Sequence, residues 1–587
     1  MRMNSLHTIL LCCAMAGIGT AGAEESRPGQ LPTDVVPVHY DIRVEPDAEA
    51  LVFVGQVGID LDVRYATPTI TLNALDIEIS RATLDGSRAA DVAFDRAMQT
   101  MTLTFDEPVA PGRHRLEIDY SGRIQTTATG LFAVDYDAPG GARRMLTSQF
   151  EVADARRFAP MWDEPSAKAT FALEVVLPVE QSAYSNMPVT SANIEGGKRR
   201  VRFANSPRMS SYLLHLTIGD LERISRTVAG VDVGVVTRKG AAESGRQALE
   251  IAAEVLPWFN DYFGMPYPLP KLDMIAVPGS SQFFGAMENW GAIMYFEPYL
   301  LVDPRLSSES DRQLVFAIVA HEVAHQWFGN LVTMAWWDDL WLNEGFATWM
   351  EAKAEGALHP ERDTRLQLVN GIRESALRSD ASSATHPVVQ PVPTVEAASQ
   401  AFDAIAYSKG SAVIHMLEDA LGEAGFRAGI RRYLARYAYT NAATDQLWME
   451  LAAATGQPVV DIAHDFTLQP GVPLVSVSAG ACEDGRTMVT LSQGRFETGP
   501  KSAQSVTWRI PVHLRSHGSG AVTLALLEKS GAPSTVGVDG CGPVIVNAKQ
   551  AGYFRVRYTE EDSQELRAVF DDLPEIDRLG MLNDAWA

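Results

Sequence analysis

A multidomain α+β protein is predicted, with an all-β N-terminal region, a mainly helical central region, a small β-sandwich and a short helical stretch at the end. Three observations predict it. At roughly 150 residues per domain, a chain of 587 residues suggests three or four domains. The hydrophobic period changes twice along the chain, from strand alternation to helical spacing and back. Hydrophobic residues at 46% and charged residues at 21% are ordinary globular values, which excludes a disordered or collagen-like chain. The formal charge of −24 argues against nucleic-acid binding, because an acidic surface repels phosphates.

The first 23 residues read as a secretory signal peptide. Arg2 supplies the positive end, Thr8 to Ile18 is mostly apolar, and Ala21-Gly22-Ala23 offers small residues before a cut. The apolar run is too short and too broken by glycines to suit a membrane anchor, and Leu11 before Cys12 makes a lipoprotein a weak alternative. The layout suits an exported protein, periplasmic or secreted and bacterial, with no transmembrane helix after signal removal. Two of the four cysteines leave with this segment. Cys482 and Cys541 remain, and their pairing stays open on sequence alone.

Residues 24–218 are expected to form the all-β region. Val57-Gly-Ile-Asp-Leu-Asp-Val63 and Met101-Thr-Leu-Thr-Phe105 alternate, and Phe171 to Leu177 and Tyr212 to Ile218 look like further strands. Residues 219–468 are expected to be the helical region that carries the chemistry. There Leu249, Ile251, Ala252, Val255 and Leu256 share one side of a helix between Ser244 and Phe263. Alternation returns over residues 469–559, which suits a β-sandwich. Residues 560–587 turn helical, and their apolar residues, Leu566 and Leu573 among them, need another surface to cover them.

The chemistry centres on Ala320-His-Glu-Val-Ala-His-Gln-Trp-Phe-Gly329. His321 and His325 are four apart on a predicted helix, so they project from one face and can share one zinc ion. Glu322 lies beside them, placed to act as general base. Alone, this spacing also fits two core histidines and a solvated glutamate. After His325 come eighteen residues and then Glu344, at the start of another predicted helix. Among Trp337, Trp341 and Phe346 an unpaired Glu344 would be costly, and a His2Glu zinc set with one open position removes the cost.

Upstream, Glu288 in Phe284-Gly-Ala-Met-Glu-Asn-Trp290 reads either as an ordinary surface carboxylate or as a partner for a substrate ammonium group. Glu151, in Thr147-Ser-Gln-Phe-Glu151, is a second such candidate. Two carboxylates near zinc would favour peptides with a free N-terminus. Tyr407 could stabilise an oxyanion, although bare sequence favours a packed aromatic.

The H-E-x-x-H-x18-E signature with Gly285-Ala-Met-Glu-Asn289 before it closely resembles the aminopeptidase N family of gluzincin metallopeptidases. Leu31 to Tyr40 looks like that family's opening strand. Gln149-Phe-Glu151 with Ala155-Arg156 and Asp163-Glu-Pro165 is similar to its N-terminal motif, and Gly552 to Tyr558 to the end of its β-sandwich. The resemblance implies a β-sheet saddle, a thermolysin-like catalytic domain, a β-sandwich and the start of a truncated helical C-terminal domain. It implies one zinc on His321, His325 and Glu344, with Glu322 as base and proton shuttle and Tyr407 on the oxyanion. It also implies that Glu288 and Glu151 hold the α-amine and that Gln149 and Met287 border the first side-chain pocket. Gly285, Ala286 and Asn289 belong to the same substrate loop. The expected activity is a zinc aminopeptidase releasing single N-terminal residues. An endopeptidase and a non-catalytic peptide-binding protein are the alternatives, and neither the preferred first residue nor the oligomeric state is legible.

Overall fold

The computed structural model describes residues 29–282, 284–499 and 506–587. The expected signal peptide, residues 1–23, therefore lies outside the described residues.

The N-terminal region is built on an eight-stranded sheet whose centre is Val35–Asp47, paired antiparallel with Val52–Val63 and parallel with Thr170–Pro178. One face is apolar as the alternation requires: Val57, Ile59, Leu61 and Val63 are all buried. Tyr40 stacks on Phe171 at 4.9 Å, and its hydroxyl accepts a hydrogen bond from the Trp162 backbone. A smaller four-stranded sheet contains Gly141–Gln149, whose end delivers Gln149 and then Glu151 toward the central region. The stretch from Tyr212 to Ile218 is only partly a strand. Ser211–Leu213 forms a tight helical turn and the strand begins at Leu216. Tertiary contact explains the difference: the Tyr212 hydroxyl donates to the Gly329 carbonyl and accepts from the Asn343 amide, both at 3.2 Å.

The central region opens with an element the sequence reading lacked. A five-stranded sheet carries three parallel strands, Val231–Arg238, Lys271–Val277 and Ala292–Phe296. Every residue of the last two is buried, so they show no alternation. The short strand Ala286–Met287 is added antiparallel at the sheet's edge. Helix α1 (Arg246–Phe263) buries all five residues expected on its inner side. Helix α2 (Glu309–Ala324) starts at a capping box between Ser308 and Asp311 and ends at His325. Helix α3 (Trp341–Leu358) packs against it.

The β-sandwich consists of a four-stranded and a three-stranded sheet. Cys482 and Cys541 are joined by a disulfide within it. The C-terminal segment, with helices Glu560–Ala568 and Glu575–Trp586, docks on this sandwich through Leu566 of the first helix and Leu573 of the link between them, which pack with Ile545 and Ala548. Among the described residues, no helix is long and apolar enough to cross a membrane.

Candidate active site

Helix α2 points His321 and His325 at α3, whose first turn presents Glu344. The two Nε2 atoms lie 3.0 Å apart, and each is 3.4 Å from Glu344 Oε2. Atoms bound about 2.0–2.1 Å from one tetrahedral zinc lie roughly 3.3 Å from each other, so this set fits the ion. The ring orientations fit as well. His325 Nδ1 faces the Phe328 carbonyl at 2.9 Å and His321 Nδ1 faces Glu351 at 2.9 Å, both acceptors. Each Nδ1 therefore carries the proton, and each Nε2 presents its lone pair. Gly329, at φ +126°, lets the chain turn closely beneath the His325 ring.

Glu351 was not found from the sequence, although its spacing signalled it: seven residues after Glu344 on one helix, it shares that face. Its carboxylate orients a ligand histidine. Glu351→Gln is expected to weaken zinc binding about 10- to 100-fold. Competition with a chromophoric chelator measures this, and an unchanged affinity would remove Glu351 from the metal's support.

Around the ligands lies a cavity of about 1170 Å³ lined by Glu151, Gln149, Gly285, Ala286, Glu288, Glu322 and Tyr407. Glu151, Glu288 and Glu322 each have a buried carboxylate oxygen with no hydrogen-bond partner among the described residues. Burial pushes the Glu151 carboxyl well up, with Glu288, Glu344 and Glu322 adding to it. Burial also raises Glu288, against the pull of His325. Glu322 is pushed up to about 8 by burial, with the two histidines opposing. Burial would raise Glu344 too, but His325 and His321 hold it at about 2. Buried carboxylates in this state call for cations.

The loop bearing Glu288 is fixed by the turn after α2. Gln326 and Asn330 both donate to the Glu288 carbonyl, at 3.2 and 2.7 Å. Lys168, buried in the N-terminal region, donates to the carbonyls of Asn330 and Leu331, so two regions clamp this turn. Two expected pocket residues do not line this cavity directly. Asn289 is fully buried, its amide turned to the carbonyls of Tyr212 and Leu214. Met287 is buried too, with the Gln149 amide 3.5 Å from its sulfur. Tyr407 lies parallel to His321 at 6.3 Å between ring centres and lines the same cavity as Glu344.

Residues 247–466 match the peptidase family M1 domain, and residues 36–213 match the peptidase M1 N-terminal domain. Among curated proteins, the chain is 37% identical to Aminopeptidase M1 of Arabidopsis thaliana, over 95% of this chain and 65% of that protein. It is 35% identical to Puromycin-sensitive aminopeptidase of Caenorhabditis elegans, over 95% of this chain and 60% of that protein. Alanine/arginine aminopeptidase of Saccharomyces cerevisiae is 37% identical, over 95% of this chain and 65% of its own length. The chain thus spans less than two thirds of these relatives. Their sources, a plant, a worm and a yeast, overturn the expectation of an exported bacterial protein, periplasmic or secreted. With the two domains present in order and such relatives aligned along nearly all of it, the chain belongs to peptidase family M1.

Proposed function

We propose that this chain is a zinc-dependent aminopeptidase that releases single N-terminal amino acids from peptides. The observation that carries the proposal is that Glu288 and Glu151, which line the cavity holding the His2Glu set, each have one buried carboxylate oxygen with no hydrogen-bond partner among the described residues. A substrate α-ammonium group meets both, and an internal peptide bond brings no such cation to them. When bound, zinc supplies Lewis acidity that polarises a carbonyl and acidifies water. Glu322 takes the proton of the attacking water and returns it to the leaving amine. Tyr407 donates its hydroxyl to the oxyanion as the first carbonyl becomes tetrahedral. Ala286, on the edge strand, offers backbone groups along which the peptide lies extended. The division of the chain at residues 218, 468 and 559 belongs to the same proposal.

The test is hydrolysis of leucyl and alanyl anilides with free and with acetylated amines, before and after zinc chelation. Release only from free-amine substrates, lost on chelation and restored by zinc, is the expected result. Equal cleavage of acetylated substrates would make the enzyme an endopeptidase. No cleavage by the zinc-loaded chain would leave a peptide-binding protein. Within this reading, Glu288→Ala is expected to raise KM and to cost about 2–5 kcal/mol in kcat/KM, the usual effect of truncating a buried charge partner. Steady-state kinetics on the leucyl anilide measures it, and an unchanged kcat/KM would refute the role.

A further inference from the structure

Tyr407 sits on a short π-helical turn, Ile405–Lys409, and the two ends of that turn are held very differently. At the far end, Lys409 is buried. Its ammonium is 2.8 Å from Asp380 and 3.2 Å from the Gln469 carbonyl. Asp380 in turn accepts from the Tyr553 hydroxyl of the β-sandwich at 3.0 Å and from the Gly471 backbone at 2.7 Å. Just beyond, Gly410 meets Gly345 of α3, the residue after the metal-site carboxylate. A Cβ on Gly345 would lie 3.2 Å from Gly410 and from the Ala406 carbonyl. This end is locked against the helix that carries Glu344.

At the near end the Ala406 carbonyl packs on Gly345, and the amides are held by one side chain. Asp403 Oδ1 accepts from the backbones of Ile405 and Ala406 at 2.8 and 3.0 Å, and its carbonyl accepts from the Tyr407 backbone at 3.1 Å. The other carboxylate oxygen, Oδ2, is 2.7 Å from His386 Nε2, while His386 Nδ1 faces the Pro387 carbonyl at 2.8 Å. Both His386 partners are acceptors, so the ring donates from both nitrogens and stands as an imidazolium. Phe402 and Tyr407, on either side of Asp403 in sequence, line the cavity.

We propose that Asp403, held by His386, is a positioning residue that sets the Tyr407 hydroxyl against the metal site. This rests on Tyr407 acting on the oxyanion. With the far end locked and the Ala406 carbonyl packed on Gly345, the bonds from Asp403 to the Ile405 and Ala406 amides complete the setting of the Tyr407 side chain. A displacement of about 1 Å at a reacting centre can cost on the order of 10²-fold in rate.

The experiment is a double-mutant cycle on the zinc-loaded full chain, with kcat and KM for leucyl anilide measured for Asp403→Ala, Tyr407→Phe and the pair. Asp403→Ala is expected to lower kcat about 10- to 100-fold, with KM changed less than about threefold. In the Tyr407→Phe background the same change is expected to cost less than about twofold, because the group it positions is gone. An equal loss in both backgrounds would overturn the proposal and leave Tyr407 its role. A wild-type kcat for Tyr407→Phe alone would remove the role of Tyr407, and the proposal with it. Should Asp403→Ala fail to fold, His386→Gln, at a side chain 26% exposed, carries the same cycle with the same criteria.

Discussion

Glu322→Gln is expected to lower kcat by about 10²- to 10⁴-fold while leaving zinc content and KM nearly unchanged. Glutamine matches glutamate in shape and still accepts hydrogen bonds, but it cannot take up a proton. Glu322 is 6% exposed and its Oε2 has no partner among the described residues, so the substitution leaves no protein charge newly unpaired. The convergence of His321, His325 and Glu344 does not pass through it. Burial raises its carboxyl, which favours uptake of the proton it must carry. Metal analysis and steady-state kinetics on the same preparation separate the two quantities. Activity within about tenfold of wild type would refute the proton-shuttle role, whatever the zinc content. Lost zinc together with lost activity would instead make Glu322 a support of the metal set.

How far the site could be read in the sequence depended on the distance over which each part is specified. His321, Glu322 and His325 are fixed by one helix, so four-residue spacing was enough. Glu344 needed a second helix and an argument about the cost of a buried charge. Glu351 was legible by the same helical logic, one face and two turns on. Gln326 and Asn330 were not, because they bond a loop backbone 38 and 42 residues away and neither residue type signals that. His386, 17 residues from Asp403, is in the same position. In the fold, alternating strands such as Val52–Val63 announced themselves. The central parallel strands, buried on both faces, did not, and their apolar runs disappeared among helical patterns.

Asp163→Ala is expected to cost about 3–5 kcal/mol, which for a region of this size lowers the midpoint of its unfolding by about 6–20 °C. The side chains of Arg156 and Asp163 are 3% and 1% exposed, and the guanidinium Nε is 3.0 Å from the carboxylate. The same carboxylate accepts from the Arg156 backbone at 3.1 Å and from the Ser211 hydroxyl at 2.7 Å. Alanine removes all three contacts and leaves a guanidinium, which cannot shed its charge, among buried neighbours. Replacing both members with apolar residues would cost far less, because no charge would be stranded. The pair also bears on the site. Arg156 belongs to the turn that follows Glu151, where the Asp154 backbone bonds the Phe150 carbonyl at 2.8 Å and Phe158 bonds Ala155 at 2.9 Å. Loosening that turn releases Glu151 from its place beside Glu288, so KM for free-amine substrates is expected to rise with little change in zinc affinity. Thermal unfolding of the full chain, followed by anilide kinetics below the transition, measures both effects. A midpoint within about 2 °C of wild type would mean that water or a local shift satisfies Arg156. A lowered midpoint with unchanged KM would confine the pair to stability and separate it from the placement of Glu151.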